Sequence, residues 1–475
     1  MKNAYSLHAA RVATVSAQMR GFWERKQKVR IYHGSTNSTR PFNLKAGEVV
    51  DVSSLTHVLE LNLAEGWITV EANVPMDVLV RAAGKRGYAP LVVPEFPGIT
   101  VAGAIQGGAG ESSSFRWGGF HETCLEYEMV LATGEVVTAS PTENKDLYWG
   151  TACSYGTLGI ITMAKLKLRN AEPYVRLTYY PTGTAQETIA EVRRWARKEV
   201  DFVDSIQCTP STGVVMVGRY GKKASLPTAR FLRARDEWFY LHAQAQASRK
   251  QPYEELIPLK DYFFRYDRGA FWTGTYVFER LGLPFTRLAR MALTPWFRTR
   301  TLYKLLHAVQ GSQLALVQDI CFPEENFNEF ITYLDKKFAI YPLWFCPLKV
   351  NKEGQDKLSP TRLQADMAIN VGVWGKFAVS HAEFIRGNQE VEGETHRLGG
   401  RKVLYAHAYY SEEDFWKIYD KGWYAKLRER YQAVEVFPSI YEKVIVRERL
   451  QPSRRGIAKA LFGSPFALKK KAGTR

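Results

Sequence analysis

Residues 97–120 read PGITVAGAIQGGAGESSSFRWGGF, with seven glycines between Gly98 and Gly119. Average glycine usage would put roughly one or two there. Each missing Cβ removes a steric stop and permits positive φ, so this backbone can approach something bulky and polar. Arg116 is the single cation of the stretch. An anion held here is therefore expected to rest on backbone N–H groups and on the hydroxyls of Ser112, Ser113 and Ser114. The stretch lacks the Gly-Lys-Ser/Thr of a P-loop and the GxGxxG spacing of a Rossmann turn.

Around this window lies a polypeptide of 475 residues, long enough for two or three domains. Its 45% apolar and 24% charged content is that of an ordinary globular protein, while 13% aromatics suits a large flat or greasy ligand as well as a core. Cys124, Cys153, Cys208, Cys321 and Cys346 form no CxxC pair, so neither a zinc site nor a disulfide framework is expected. The N-terminal residues show helical spacing without a signal-peptide core, and no window reaches the ~18 apolar residues of a spanning helix. The expectation is an intracellular protein, cytoplasmic or attached peripherally to a membrane.

The net charge of +17 is unevenly placed. No acid falls between Glu279 and Asp319, where Arg280, Arg287, Arg290, Arg298, Arg300 and Lys304 alternate with Leu281, Leu283, Leu288, Met291, Trp296 and Phe297. Such a segment reads as a membrane-surface element or as a buried helix with a solvated basic rim. No nucleic-acid module accompanies the charge, so nucleic acid is not an expected partner.

Periodicity predicts a helix over much of 1–30 and then strands VRIYH, EVVDVS and WITVEANV. A helix PMDVLVRAAGKRGY and a strand APLVV follow, and a hairpin YEMVLATGEVVTAS turns at Thr133-Gly134. TLGIITMAKLKL closes an α+β domain over 1–172. Residues 173–395 read as an inserted α/β cap, with helices AQETIAEVRRWARKEV and ENFNEFITYLDKKFAI. Residues 396–450 return as a strand KVLYAHAYY and a helix SEEDFWKIYDKGWYAKLRERY, and 451–475 form a basic tail.

Three glycine turns share the first domain: His33-Gly34-Ser35-Thr36-Asn37-Ser38, the 98–119 window, and Gly156-Thr157-Leu158-Gly159-Ile160-Ile161. In this order they resemble the FAD-binding, PCMH-type domain of the vanillyl-alcohol oxidase superfamily. The closer likeness is to its Δ24-sterol reductase branch. That likeness rests on Glu111-Ser112-Ser113-Ser114, on YEELIPLKDYFFRYDRGAFW at 253–272, on IYPLWFCPL at 340–348, on LYAHAYYSEEDFW at 404–416 and on YAKLRERYQAVEVFPSIYEK at 424–443.

The resemblance implies FAD contacts from His33, Gly34, Ser35, Thr36, Asn37 and Ser38 in the first turn. In the second they come from Thr100, Val101, Ala102, Gly103, Ala104, Ile105, Gly107, Gly108, Gly110, Glu111, Ser112 and Gly119, and in the third from Gly156, Gly159, Ile160 and Ile161. Asn37 stands where covalent members carry the flavin-linked His, which implies non-covalent FAD, with His33 as the alternative linker. Animal members of the branch carry a membrane-spanning N-terminal segment, and no such segment is expected in this sequence.

The resemblance further implies reduction of a carbon–carbon double bond in the side chain of a sterol or related isoprenoid, with NADPH as electron source. No second dinucleotide fingerprint is present to hold NADPH. If 401–410 is a strand, Tyr405, His407 and Tyr409 share one face. His407 is then the expected partner of flavin N1 and O2, and Tyr405 or Tyr409 the proton donor. His381 and Glu383, in VSHAEF, form a second alternating pair if that stretch is a strand, and Glu383 is a further candidate catalytic residue, with an exposed strand pair as the alternative. The alternatives are a flavin oxidase or dehydrogenase of an alcohol or sugar, and a flavin-binding protein without turnover.

Overall fold

The computed structural model describes residues 2–34, 36–40, 44–309, 313, 315–352, 355–377 and 379–447. Ser35 and the basic tail lie outside the described residues. A long helix, Lys2–Glu24, opens the protein and packs Val12, Val15, Met19 and Phe22 against the first domain. Arg30–Tyr32 and Val49–Asp51 pair in parallel. The main sheet of this domain then runs in the order Val58–Asn62, Trp67–Glu71, Ile160–Asn170, Cys124–Val130, Val136–Ala139, with Tyr88–Pro90 also on Ile160–Asn170. The predicted hairpin is present, with Gly134 at φ 84° in its turn.

The cap is an eight-stranded antiparallel sheet in the order Tyr253–Pro258, Tyr174–Thr182, Thr212–Gly221, Phe202–Thr209, Leu343–Lys349, Met367–Lys376, Ala315–Pro323, Arg401–Lys402. Side chains alternate across a strand, so each one serves two layers. Leu316, Ile320, Phe322, Leu343, Phe345, Ile369, Val371 and Val373 face the helices Ala185–Ala196, Phe327–Lys337 and His381–Arg397. The intervening residues Val317, Asp319, Cys321, Trp344, Cys346, Asn370 and Trp374 face a cavity shared with the first domain. This α+β arrangement matches the fold class expected from the sequence.

Three local expectations are corrected. Of KVLYAHAYY, Lys402 alone lies in a strand, the two-residue Arg401–Lys402; Leu404–Ala406 turn, and Ala408 makes an isolated bridge to Ile445. SEEDFWKIYDKGWYAKLRERY is two helices, Glu412–Ile418 and Lys421–Arg430, because Asp420 accepts from Trp423 N and starts a new helix. VSHAEF is not a strand but the start of His381–Arg397, where Ser380 and Glu383 form a capping box.

The C-terminal helices return to the first domain. Tyr424 donates to Thr157 Oγ1 at 2.8 Å, and Arg428 donates to the Thr157 carbonyl at 3.0 Å. Lys443, on the last described helix Ile440–Val444, thereby reaches the third glycine turn.

Candidate active site

The cavity between first domain and cap has a volume of about 1720 Å³. Ligand pockets commonly occupy about 300–1,000 Å³, so this one has room for a dinucleotide and a second ligand. Its first-domain wall includes His33, Thr36, Asn37, Ser38, Thr100, Ala102, Gly103, Gly107, Gly108, Gly110, Gly119, Ile160 and Ile161. The three turns separated in sequence thus meet on one surface.

The glycine window is itself partly helical. Thr100 caps Val101–Gly107 by accepting from Gly103 N at 3.2 Å, and Gly108 ends the helix at φ 68°. A Cβ at Gly108 would lie 2.7 Å from Cys153 Sγ, so both conformation and space require glycine. Ala102 sits inside the helix, where a methyl group brings no φ penalty.

Val101, Ala104 and Ile105 instead point into the core. Gly34, Gly156 and Gly159 shape their turns without lining the cavity. Glu111 and Ser112 also lie away from it. Arg265 Nη2 donates to Glu111 Oε1 at 2.8 Å and to Asp204 Oδ2 at 3.0 Å, and Ser112 Oγ is 3.0 Å from the Tyr262 hydroxyl. Tyr266 and Trp344 also donate to Asp204. Ser113 donates to the Leu91 carbonyl, and Ser114 accepts from Glu111 N. The expected hydroxyl cradle is therefore corrected: Glu111 and Ser112 bind the window to the cap, while Ser113 and Ser114 bond within the first domain.

Positive charge comes from elsewhere. Arg30, Arg40 and Lys443 all line the cavity around the first turn. Burial, then the charges of Arg30 and Arg40, push Lys443 down to about 7. Burial and Lys443 likewise push His33 down to about 4, so its imidazole is neutral. His33 Nδ1, Thr39 Oγ1 and Asn73 Oδ1 are buried on this wall without a hydrogen-bond partner among the described residues. Buried polar atoms are rarely left unmet, and crowded cations need an anion. A diphosphate-bearing cofactor fits both requirements.

His121, next to Gly119, adds a further polar group to the wall. Its Nε2 lies 3.0 Å from Asp356 Oδ2. Burial opposes its charge, but Asp356 outweighs this and raises its pKa.

The cap wall differs in kind. Phe271, Tyr276, Tyr303, Trp344 and Trp374 make it aromatic and Asp319 adds a carboxyl group, while Glu95 of the first domain, next to Phe96, brings a second to its edge; Glu279 and Glu442 also line the cavity but are exposed. Tyr405 donates to Asp319 Oδ2 at 2.5 Å and Trp374 Nε1 at 3.2 Å, while Asn370 Nδ2 donates to Asp319 Oδ1 at 2.8 Å. Sequence reading missed Asp319, although the alternation of ALVQDICFP puts an acid on the same face as Val317 and Cys321. Glu95 carried no local pattern.

Of the aromatic set on the expected return strand, Tyr405 alone lines the cavity. The turn at 404–406 breaks the shared face. His407 is buried against Phe384 and Tyr409, and its ring nitrogens lack hydrogen-bond partners among the described residues. Burial, Lys402 and Arg40 push it down to about 3, leaving no cation for a flavin ring. Tyr409 packs with Phe384 and Val446. Glu383 is exposed and bonded to Ser380, and His381 starts the same helix on the surface.

Residues 4–140 match the family model described as FAD binding domain. The protein is 27% identical over 462 residues to the Delta(24)-sterol reductase of Homo sapiens, covering 94% of its own length and 87% of that relative. It is 30% identical over 436 residues to the Delta(24)-sterol reductase of Arabidopsis thaliana, covering 83% and 76%. A shorter match, 37% over 92 residues, joins 19% of its length to 17% of cytokinin dehydrogenase 8 of Oryza sativa subsp. indica. With its glycine turns on one wall and its likeness extending through the cap, the protein belongs to the Δ24-sterol reductase family and is an FAD-dependent oxidoreductase.

Proposed function

We propose that this enzyme reduces a carbon–carbon double bond in the side chain of a sterol or related isoprenoid, with NADPH as electron source and FAD held non-covalently. The observation that carries the reading is the two-sided cavity, with a basic, glycine-lined wall facing an aromatic wall that has one carboxyl within it and a second at its edge. When bound, FAD supplies the two-electron chemistry that links donor to alkene. Arg30, Arg40 and Lys443 would meet the diphosphate, and Thr36, Asn37 and Ser38 would give it polar contacts. Asn37 offers no nucleophile for a covalent link, and His33 is buried beside Lys443. The aromatic cap wall would hold a flat, apolar substrate and exclude water. His121, whose pKa the Asp356 hydrogen bond and the charges of Glu122 and Asp356 raise against burial, is a group on the cavity wall that would stabilise negative charge on a reduced flavin.

A lipid substrate needs an entry route. Leu281 lines the cavity and is also exposed, so the cavity reaches the surface there. Leu288, Met291 and Trp296 are exposed nearby, with Arg280, Arg287 and Lys304 on the same segment. Other cations of this segment are committed: Arg290 pairs with Glu237, Arg298 with Asp267 and Arg300 with Asp77. Phe297 is core rather than surface, packed against Trp238 and Phe278. A membrane-surface contact would thus use Leu288 and Trp296, and the pair of substitutions Leu288→Ser and Trp296→Ser should abolish co-sedimentation with anionic vesicles. Wild-type protein that fails to sediment at low salt would remove the membrane reading.

The test of the chemistry is anaerobic. NADPH should bleach the purified yellow protein, and a Δ24-sterol should restore its colour. Bleaching by a sugar or polyol with no response to NADPH would favour the oxidase alternative instead.

A further inference from the structure

Asp319 of the cap and Glu95 of the first domain line one cavity but differ in what surrounds them. Asp319 receives three hydrogen bonds, from Tyr405, Asn370 and Trp374. Glu95 meets its own backbone amide and the cavity, with Phe96 of the same loop against Tyr303 and Phe271. We propose that Glu95 is the catalytic acid that protonates the substrate carbon, and that Asp319, held by its three donors, is a positioning residue on the same cavity. The proposal rests on the alkene-reductase reading above.

The two environments push the groups apart. Burial raises Asp319, but its three donors limit the rise to about 6. Burial raises Glu95, its own amide offsets part of this, the charges of Glu111 and Asp319 add to the rise and Arg265 opposes it, giving about 8. Tyr303 and Cys321 also face Asp319, and both are raised by burial first and by the carboxylates second. At neutral pH Glu95 therefore carries a proton and Asp319 does not, and such a divergence between carboxyls of one cavity marks an acid and its charged companion. Tyr405 spends its single proton on Asp319, which makes it a holder of that charge rather than the donor.

In the proposed step the O–H bond of Glu95 breaks and a C–H bond forms at one alkene carbon. The second hydrogen and both electrons come from the reduced flavin, so the alkene gains two hydrogens. Glu95 is left as a carboxylate and is reprotonated from solvent.

The experiment separates the half-reactions in FAD-loaded enzyme, using NADPH and then a Δ24-sterol in mixed micelles. Glu95→Gln should retain FAD and be reduced at the wild-type rate, while reoxidation by the sterol slows at least about 100-fold. Wild-type reoxidation should be flat in acid and fall as pH rises through about 8, and Asp319→Asn, which removes the neighbouring charge, should move that limb to lower pH. Glu95→Asp keeps an acid and should keep a limb. Difference infrared spectra, which need no sterol, should show a protonated carboxyl near neutral pH that Glu95→Gln removes. Reoxidation of Glu95→Gln within a few-fold of wild type, or a carboxyl band that survives it, overturns the assignment while leaving the reductase reading intact. A wild-type flavin that no sterol alkene reoxidises overturns the reading itself and the proposal with it.

Discussion

The two walls of the cavity solve opposite electrostatic problems. The first-domain wall gathers the exposed Arg30 with Arg40 and Lys443, no buried carboxylate among the described residues pairs them, and their mutual repulsion favours an arriving anion. The cap wall gathers Asp319 and aromatic rings, with Glu95 of the first domain at its edge, and the Asp319 charge is met by hydrogen bonds from Tyr405, Asn370 and Trp374. One wall is built to receive charge and the other to manage a proton. A shared polar core, Glu111–Arg265–Asp204, joins them.

Breaking that joint should have the largest effect. Arg265→Met leaves Glu111 and Asp204 buried without their cation, and removing one partner of a buried ion pair costs about 3–5 kcal/mol. Chemical denaturation should show that loss, and a loss under about 1 kcal/mol would mean that the walls are joined by packing alone. Next in size, Lys443→Met should weaken FAD binding by roughly 10- to 100-fold, as expected for a charge-assisted hydrogen bond. Cofactor titration would measure it. The alkaline limb of sterol reoxidation should stay in place, because that limb belongs to Glu95 at the edge of the cap wall. If Lys443→Met moves the limb, the two walls are not electrostatically separate.

The smallest effect concerns how the first wall is braced. His8, on the N-terminal helix, contacts Glu71 and Glu128 at 2.9 Å each, and Arg11 contacts Glu71 at 3.0 Å. Burial opposes the His8 charge, but hydrogen bonds to Glu128 and Glu71 hold it up at about 9. Burial also opposes the Glu71 charge, yet His8 and His57 bring it down to about 2. A raised histidine stabilises fully below its unfolded value of about 6.5 and loses that stability through its folded value, while a depressed carboxyl does the reverse from about 4.5 downward. Hydrogen-exchange protection of Lys2–Glu24 should therefore be greatest near pH 5–6 and decline toward about 9. In His8→Ala that decline should vanish.

The first wall was far more legible in sequence than the second. Glycine turns are local: Thr100 through Gly108 carry their cap, helix and stop within nine residues. Glu111 and the serines sit in the same motif, but whether they face ligand or core depends on Arg265, about 150 residues away. The cap wall is assembled from alternate residues of several strands, so Asp319 joins Glu95 on the cavity only after folding. At 404–410 the alternating pattern suggested a strand, and a turn overrode it. His407 followed its backbone into the core, and only Tyr405 kept its place on the cavity.

The central claim is that both walls serve one reaction. The most direct measurement mixes NADPH-reduced enzyme with a Δ24-sterol in the absence of oxygen and follows flavin colour and sterol mass together. Colour should return as the sterol gains two hydrogens, at least one of them drawn from solvent. Flavin that stays bleached until oxygen is admitted, with the sterol unchanged, would contradict that claim.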